Sequence, residues 1–397
     1  MTQGREHVAR RAAVAAVFFT LGLSGGIWAA RIPAIKGGLH LSPGTLGLAL
    51  LGPGIGSILA MPATGAVLAT VAPRRVVQLG LLALAGFLPL TALAGSAWQL
   101  FALLAGWGAG IGIADVGMNT EAADVQEQLG RAAMSRFHAA YSIGGLVGAG
   151  AGALAAATGV SAKTTFIAAA VVVAVLGIGA AQAFAARPRV STGGRQPRRA
   201  RAPQWSWALI ALAAMAFGSF LGEGAATDWS AVYLHSSLGA PPGLAAIAYG
   251  LFACAMTAGR LAGDQLADRM GPARLIRLSA GIAAAGFGSA LVIGQVWSGL
   301  AGFAVLGAGL SVIVPLVFSA ASRLGRPGPN LALVTSCGYF GILVGPAIIG
   351  GLANLTSLPA ALGSVVVLCA LTALLAGMAG RRPAAEEPGG GAGPRSD

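Results

Sequence analysis

The sequence predicts an all-α membrane protein with twelve transmembrane helices in two pseudo-symmetric six-helix bundles. Three observations predict it. Charged residues make up 9% of the 397 residues and hydrophobic ones 56%, whereas an ordinary soluble chain is about 25% charged. Twelve apolar runs follow one another, each of roughly 20 residues, enough to cross a ~30 Å hydrocarbon core at ~1.5 Å per residue. Glycine and tryptophan patterns in the first half recur in the second at offsets between 197 and 201 residues.

The runs lie near 12–31, 44–69, 76–95, 97–119, 135–157, 163–185, 206–231, 243–266, 274–294, 297–321, 331–353 and 358–379. Only helices and closed barrels satisfy their backbones in lipid, and runs this long and continuous read as helices. Arg5, Arg10 and Arg11 before the first run resemble the start of a signal peptide. The length of that run and the eleven after it argue against one. The 62 glycines suit close helix packing in a membrane.

Loop charges set the orientation. With the N-terminus inside, 22 arginines fall on the inner side and only Arg31, Lys36 and Lys163 on the outer. Basic loops stay cytoplasmic, so both termini are expected in the cytoplasm of a bacterial plasma-membrane protein. Shifting the count by one helix would destroy the asymmetry.

The stretch RPRVSTGGRQPRRARAP from Arg187 to Pro203 is polar, basic and rich in Pro and Gly. It divides the chain into an N-terminal six-helix half (1–186), a cytoplasmic linker (187–205), a C-terminal six-helix half (206–382) and a disordered tail (383–397).

The halves repeat. Trp98 and Trp297 open the fourth and tenth runs, and Gly108-Ala-Gly110 and Gly307-Ala-Gly309 follow ten residues on. Gly144-Gly-Leu-Val147-Gly148 matches Gly341-Ile-Leu-Val344-Gly345 in the fifth and eleventh. Two parallel halves joined by a cytoplasmic loop form a transporter architecture, with a solute site between them near the midplane.

The net charge of +13 raises nucleic acid as a partner. The arginines lie in short clusters between apolar runs instead of on one face, so membrane lipid is the expected partner and nucleic acid is not. Cys254, Cys337 and Cys369 lie in apolar runs without metal-ligand spacing. Neither metal nor cofactor is expected. A phosphate-binding loop is absent, as is any cluster with catalytic spacing, so the chain reads as no enzyme, and an ion gradient is its expected energy source.

After the eighth run stands Gly263-Asp-Gln-Leu-Ala-Asp268-Arg269-Met-Gly271-Pro-Ala-Arg274. It resembles the G-x-L-A-D-R-x-G-R-R loop of the major facilitator superfamily, with Asp264 in place of the first glycine and Pro272-Ala273 in place of the basic pair. The N-terminal copy, from Gly65 to Arg75, carries Thr70 at the aspartate position. With two six-span halves and a basic central loop, the resemblance covers essentially the whole chain. Its nearest branch is the fucose permease-like one: Asp115-Val-Gly-Met-Asn119 is similar to that branch's acidic-x-x-x-Asn pattern in the fourth helix, where a glutamate serves in proton coupling. The branch's first-helix aspartate has no counterpart in Ala29-Ala-Arg31-Ile-Pro33. The resemblance implies a cytoplasmic gating loop in which Gly263, Asp264, Asp268, Arg269, Gly271 and Arg274 take part, its charges forming a network.

An ionisable residue inside a span marks a candidate functional site. Asp115 is the first, a proton carrier or solute ligand, because changing hydration shifts a carboxyl group between its neutral and charged forms. The equivalent residue in the tenth run is Val314, so the fold itself does not require the carboxylate. The run boundaries place Asp115 in the inner third. Glu223, flanked by glycines that let a helix break, is the better cavity candidate of the seventh run. Asp228 lies nearer the outer interface and can instead pair with Arg31. His138 can relay protons with Asp115 or simply sit hydrogen-bonded at an interface. Asn119 can bind solute or a neighbouring backbone. Trp28, Trp107, Tyr141 and Tyr339 are candidate aromatic walls.

The expected function is secondary active transport, proton-coupled, of a small polar and sugar-like solute by alternating access, by a monomer. The alternatives are a drug or metabolite efflux antiporter and a non-transporting membrane sensor.

Overall fold

The computed structural model describes residues 2–129, 134–184, 205–324 and 327–380. The linker at 187–204 and the tail at 383–397 lie outside these residues, as do several arginines of the loop count. Among the described residues twelve helices are long and apolar enough to cross a membrane. They are span 1 (Val8–Gly38), span 2 (Pro43–Val67), span 3 (Pro73–Thr91), span 4 (Ala97–Gln128), span 5 (Arg136–Ala157), span 6 (Ala162–Ala181), span 7 (Trp207–Ser237), span 8 (Pro242–Met270), span 9 (Pro272–Ile293), span 10 (Val296–Arg323), span 11 (Pro329–Leu355) and span 12 (Leu358–Ala379).

Most boundaries agree with the apolar runs. Spans 1, 4 and 7 outlast them by six to nine residues at their C-terminal ends. Span 1 continues to Gly38 because Ile32 and Ile35 are buried. Arg31 does not end it, since its Nη2 donates to Val160 O at 2.7 Å. Span 4 continues to Gln128, and fully buried Glu121 accepts from Arg10 of span 1, with Arg10 Nε at 2.9 Å. Charges that read as loop ends are thus paired inside the bundle. The extension also moves Asp115 from the inner third of its helix towards the middle. It stands thirteen residues, or about 20 Å, from Gln128.

The two bundles pack alike. Span 1 lies on span 5 as span 7 lies on span 11, and spans 2 and 3 flank span 4 as spans 8 and 9 flank span 10. The glycines show the register. A Cβ on Gly108 would meet Pro53, and one on Gly307 would meet Phe252, both pairs related by 199 positions. Gly110 abuts Gly80 and Leu84, and Gly309 abuts Ser279 and Ala283, at the same offset. The sequence repeat is therefore a repeat of helix contacts.

The bundles also differ. Span 4 runs through Asp115 unbroken, whereas span 10 is interrupted at Ser311–Val312, just before Val314. Span 7 is unbroken at Glu223: Gly222 lies against Leu310 and Val365, so these glycines serve packing and not a helix break. Spans 8 and 9 are joined by Gly271 alone, at φ +79°, a conformation that suits glycine.

Candidate functional site

The halves touch at the ends remote from the termini. Gly44 faces Asn354, Gly47 faces Pro346 and Gly350, and Gly54 faces Leu343 across spans 2 and 11. Gly243 faces Ala157, and Ala30, Ala153 and Ala246 form a small buried cluster among spans 1, 5 and 8. Nearer the termini, the second segment of span 2 (Gly52–Val67) barely touches span 11. The space between the halves is therefore closed at one end and open towards the termini.

Polar side chains from both halves meet there. In span 4, Asn119 Nδ2 donates to Asp115 Oδ1 at 3.1 Å and to Asp115 O at 2.9 Å. Asn119 thus serves its own helix and holds the carboxylate's orientation. Asp115 lies within electrostatic reach of His138 and Tyr141 of span 5 and of Tyr339 of span 11. Tyr339 is also within reach of Glu223 and stacks on Phe220 at 5.5 Å. One tyrosine is therefore within electrostatic reach of a carboxylate from each half.

Glu223 has a cation. Arg260 of span 8 donates from Nη2 to Glu223 Oε1 at 3.2 Å. Loop-charge counting had assigned Arg260 to the cytoplasmic rim. It lies ten residues, about 15 Å, inside the end of span 8, and its long side chain reaches further. Thr227 Oγ1 donates to Glu223 O at 3.0 Å. Tyr249, also of span 8, lies near Thr227, Asp228, Glu223 and Tyr141, with its hydroxyl close to Gly145.

Other expected residues are placed differently. Among the described residues no ion pair joins Arg31 to Asp228; Arg31 holds the corner before span 6 through Val160 and leaves its buried Nε without a partner. Trp28 and Trp107 are buried against each other at 5.9 Å, and Trp107 Nε1 donates to Ser24 Oγ at 3.2 Å. They pack the N-terminal bundle and leave little surface to a solute. His138 meets Phe18 edge-on at 5.1 Å and makes no hydrogen bond to Asp115, so a direct His–Asp relay is not assembled. The gating-loop charges Asp264, Asp268, Arg269 and Arg274 are exposed, and among the described residues no ion pair links them; the expected network is not formed. Gly263 instead packs on Val312, at the interruption of span 10.

Reasoning from sequence missed two pairs, Arg10–Glu121 and Glu223–Arg260. An acid in an apolar run calls for a cation on a neighbouring helix. Each arginine was read as an anchor because a single strand of text shows no helix neighbours.

Two six-helix bundles around a space open at one end define the class of membrane transporters. A family model described as the Major Facilitator Superfamily matches residues 13–330. An uncharacterised MFS-type transporter of Yersinia pestis is 37% identical over 356 residues, 88% of this chain and 91% of that protein. The membrane protein MosC of Rhizobium meliloti is 30% identical over 365 residues, 90% of this chain and 88% of that protein. The chain belongs to the Major Facilitator Superfamily and is an integral membrane transporter, not an enzyme. Among solved structures, a bacterial homologue of the human lysosomal transporter Spinster, inward-facing and unoccupied, superposes with TM-score 0.75 at 14% identity, covering 94% of this chain and 97% of that one. The nucleoside transporter NupG gives TM-score 0.72 at 14% identity, covering 92% and 98%. These likenesses concern the fold alone.

Proposed function

We propose that the protein moves a small polar solute by alternating access, driven by protons, with Asp115 and Glu223 as the ionisable groups. The observation that carries this reading is that Asp115 and Glu223, one from each half, both lie within electrostatic reach of Tyr339. A group bound there touches both bundles, so its arrival or loss changes how they meet. Family members move small molecules, and neither a nucleotide-binding loop nor a cluster that could hold a metal is found among the described residues. Protonation of Glu223 would release Arg260 and alter the charge of the space between the halves. The excess of arginine in the inner loops supports cytoplasmic termini, and with that orientation the open end faces the cytoplasm. In that state the gating-loop charges are expected to be apart, as their exposure suits. The fucose permease-like pattern at Asp115 and Asn119 supports proton coupling, while the lost first-helix aspartate leaves a sugar solute with less support.

The test uses liposomes holding the purified protein and an internal pH dye, with solute classes screened under an imposed proton gradient. Solute-dependent proton movement that Asp115→Asn abolishes is the expected result. Solute flux with unchanged proton movement in both Asp115→Asn and Glu223→Gln would exclude this coupling site.

A further inference from the structure

The charges facing the space between the halves are unequally matched. Glu223 and Arg260 are bonded to each other and together carry little net charge. Asp115 has no such cation. Its hydrogen-bond partner is the neutral amide of Asn119. His138, within electrostatic reach of Asp115, lies edge-on to Phe18 and makes no hydrogen bond to the carboxylate. No ion pair reaches Asp115 among the described residues.

The surroundings of Asp115 are aromatic. Tyr141 and Tyr339 come from spans 5 and 11, one from each half, and both lie within electrostatic reach of its carboxylate. Both are well exposed for residues inside spans, Tyr141 at 43% and Tyr339 at 60%. Tyr339 stacks on Phe220 at 5.5 Å and keeps most of its surface exposed. A carboxylate with no cation bonded to it, with exposed aromatic rings nearby, matches the chemistry of an ammonium group. The carboxylate accepts its N–H bonds and the ring faces attract its charge. An anionic solute would be repelled by Asp115 and would find Arg260 already engaged. A neutral solute would leave the carboxylate unmatched.

We propose that the transported solute carries a protonated amine, which docks on Asp115 between Tyr141 and Tyr339. The inference rests on the transport reading above and adds the charge class of the solute. The solute's amine and the coupling proton then contend for the same carboxylate.

The test is a thermal-shift and calorimetric screen of the full-length protein in detergent. The probes are matched sets of small metabolites that differ only in bearing an ammonium, a hydroxyl or a carboxylate, together with tetramethylammonium as a bare cation. The expected result is stabilisation by the ammonium members. Asp115→Asn should weaken it at least ten-fold, and Asp115→Glu should retain part of it. Tyr141→Leu and Tyr339→Leu should each lose about three- to ten-fold, whereas the phenylalanine variants, which keep the ring face, should lose less than two-fold. The unliganded melting temperature of each variant separates loss of fold from loss of binding. Stabilisation confined to neutral or anionic members overturns the proposal, as does ammonium binding untouched by Asp115→Asn, or no ammonium-dependent stabilisation up to tens of millimolar. If a neutral or anionic solute drives proton movement that Asp115→Asn abolishes, the transport reading stands and this inference alone falls.

Discussion

Glu223 and Arg260 meet at 3.2 Å between spans 7 and 8, with side chains 19% and 45% exposed. The exposure matters to the energetics. A pair this open to solvent contributes about 1 kcal/mol to stability. Glu223→Gln should therefore lower the melting temperature by only a few degrees in detergent. Its effect on solute-driven proton movement should be far larger. Arg260→Gln should do the same. A melting temperature that collapses in either variant would mean that the pair holds the fold together.

Arg10 and Glu121 make the opposite case. Glu121 is fully buried, and removing one partner of a buried pair costs more than removing one partner of an exposed pair. Arg10→Met should destabilise the N-terminal bundle by about 3 kcal/mol, and Arg10→Met with Glu121→Leu should recover most of it. Chemical denaturation in mixed micelles reads both. Equal loss in the single and double variants would count against the pairing.

These two pairs also show what the sequence could convey. Apolar runs fixed the number of helices and nearly all their limits, because lipid imposes length and hydrophobicity directly. The glycine offsets anticipated which helices touch, down to Gly108 with Pro53 and Gly307 with Phe252. Asp115, Glu223, Tyr141 and Tyr339 were legible as polar or aromatic residues inside spans. Arg260 was not, because loop counting treats every arginine near a helix end as an anchor. Trp28 and Trp107 were read as cavity walls because composition cannot say which side of a helix faces its own bundle. The angular position of each helix comes only from its packing.

Glycines at crossings offer a sharp contrast. A Cβ on Gly56 would collide with Ala105 O, and one on Gly144 would collide with Phe19 O, whereas Gly25 and Gly150 have nothing within 4 Å. Gly56→Ala and Gly144→Ala must push whole backbones apart and should cost about 3 kcal/mol or more. Gly25→Ala and Gly150→Ala should leave melting within a degree or two. Size-exclusion profiles after heating would rank all four. Equal tolerance would contradict the helix spacing.

The closed end can be tested by crosslinking. Gly44 and Asn354 face each other across spans 2 and 11, with a Cβ on Gly44 3.3 Å from Asn354 Cβ. In a background lacking Cys254, Cys337 and Cys369, Gly44→Cys with Asn354→Cys should oxidise readily and stop transport, and reduction should restore it. A crosslinked protein that still completes the cycle would show that this end need not open.

Gly271 has a mechanical consequence. It alone separates Met270 at the end of span 8 from Pro272 at the start of span 9. Successive Cα atoms are about 3.8 Å apart, so the end of span 8 cannot travel far without taking span 9 with it. Span 8 carries Arg260, and span 9 is seated on spans 10 and 12. Any swing started where Arg260 lets go of Glu223 would therefore pass round this elbow into the outer helices, so the C-terminal bundle would tilt as one lever on a very short leash.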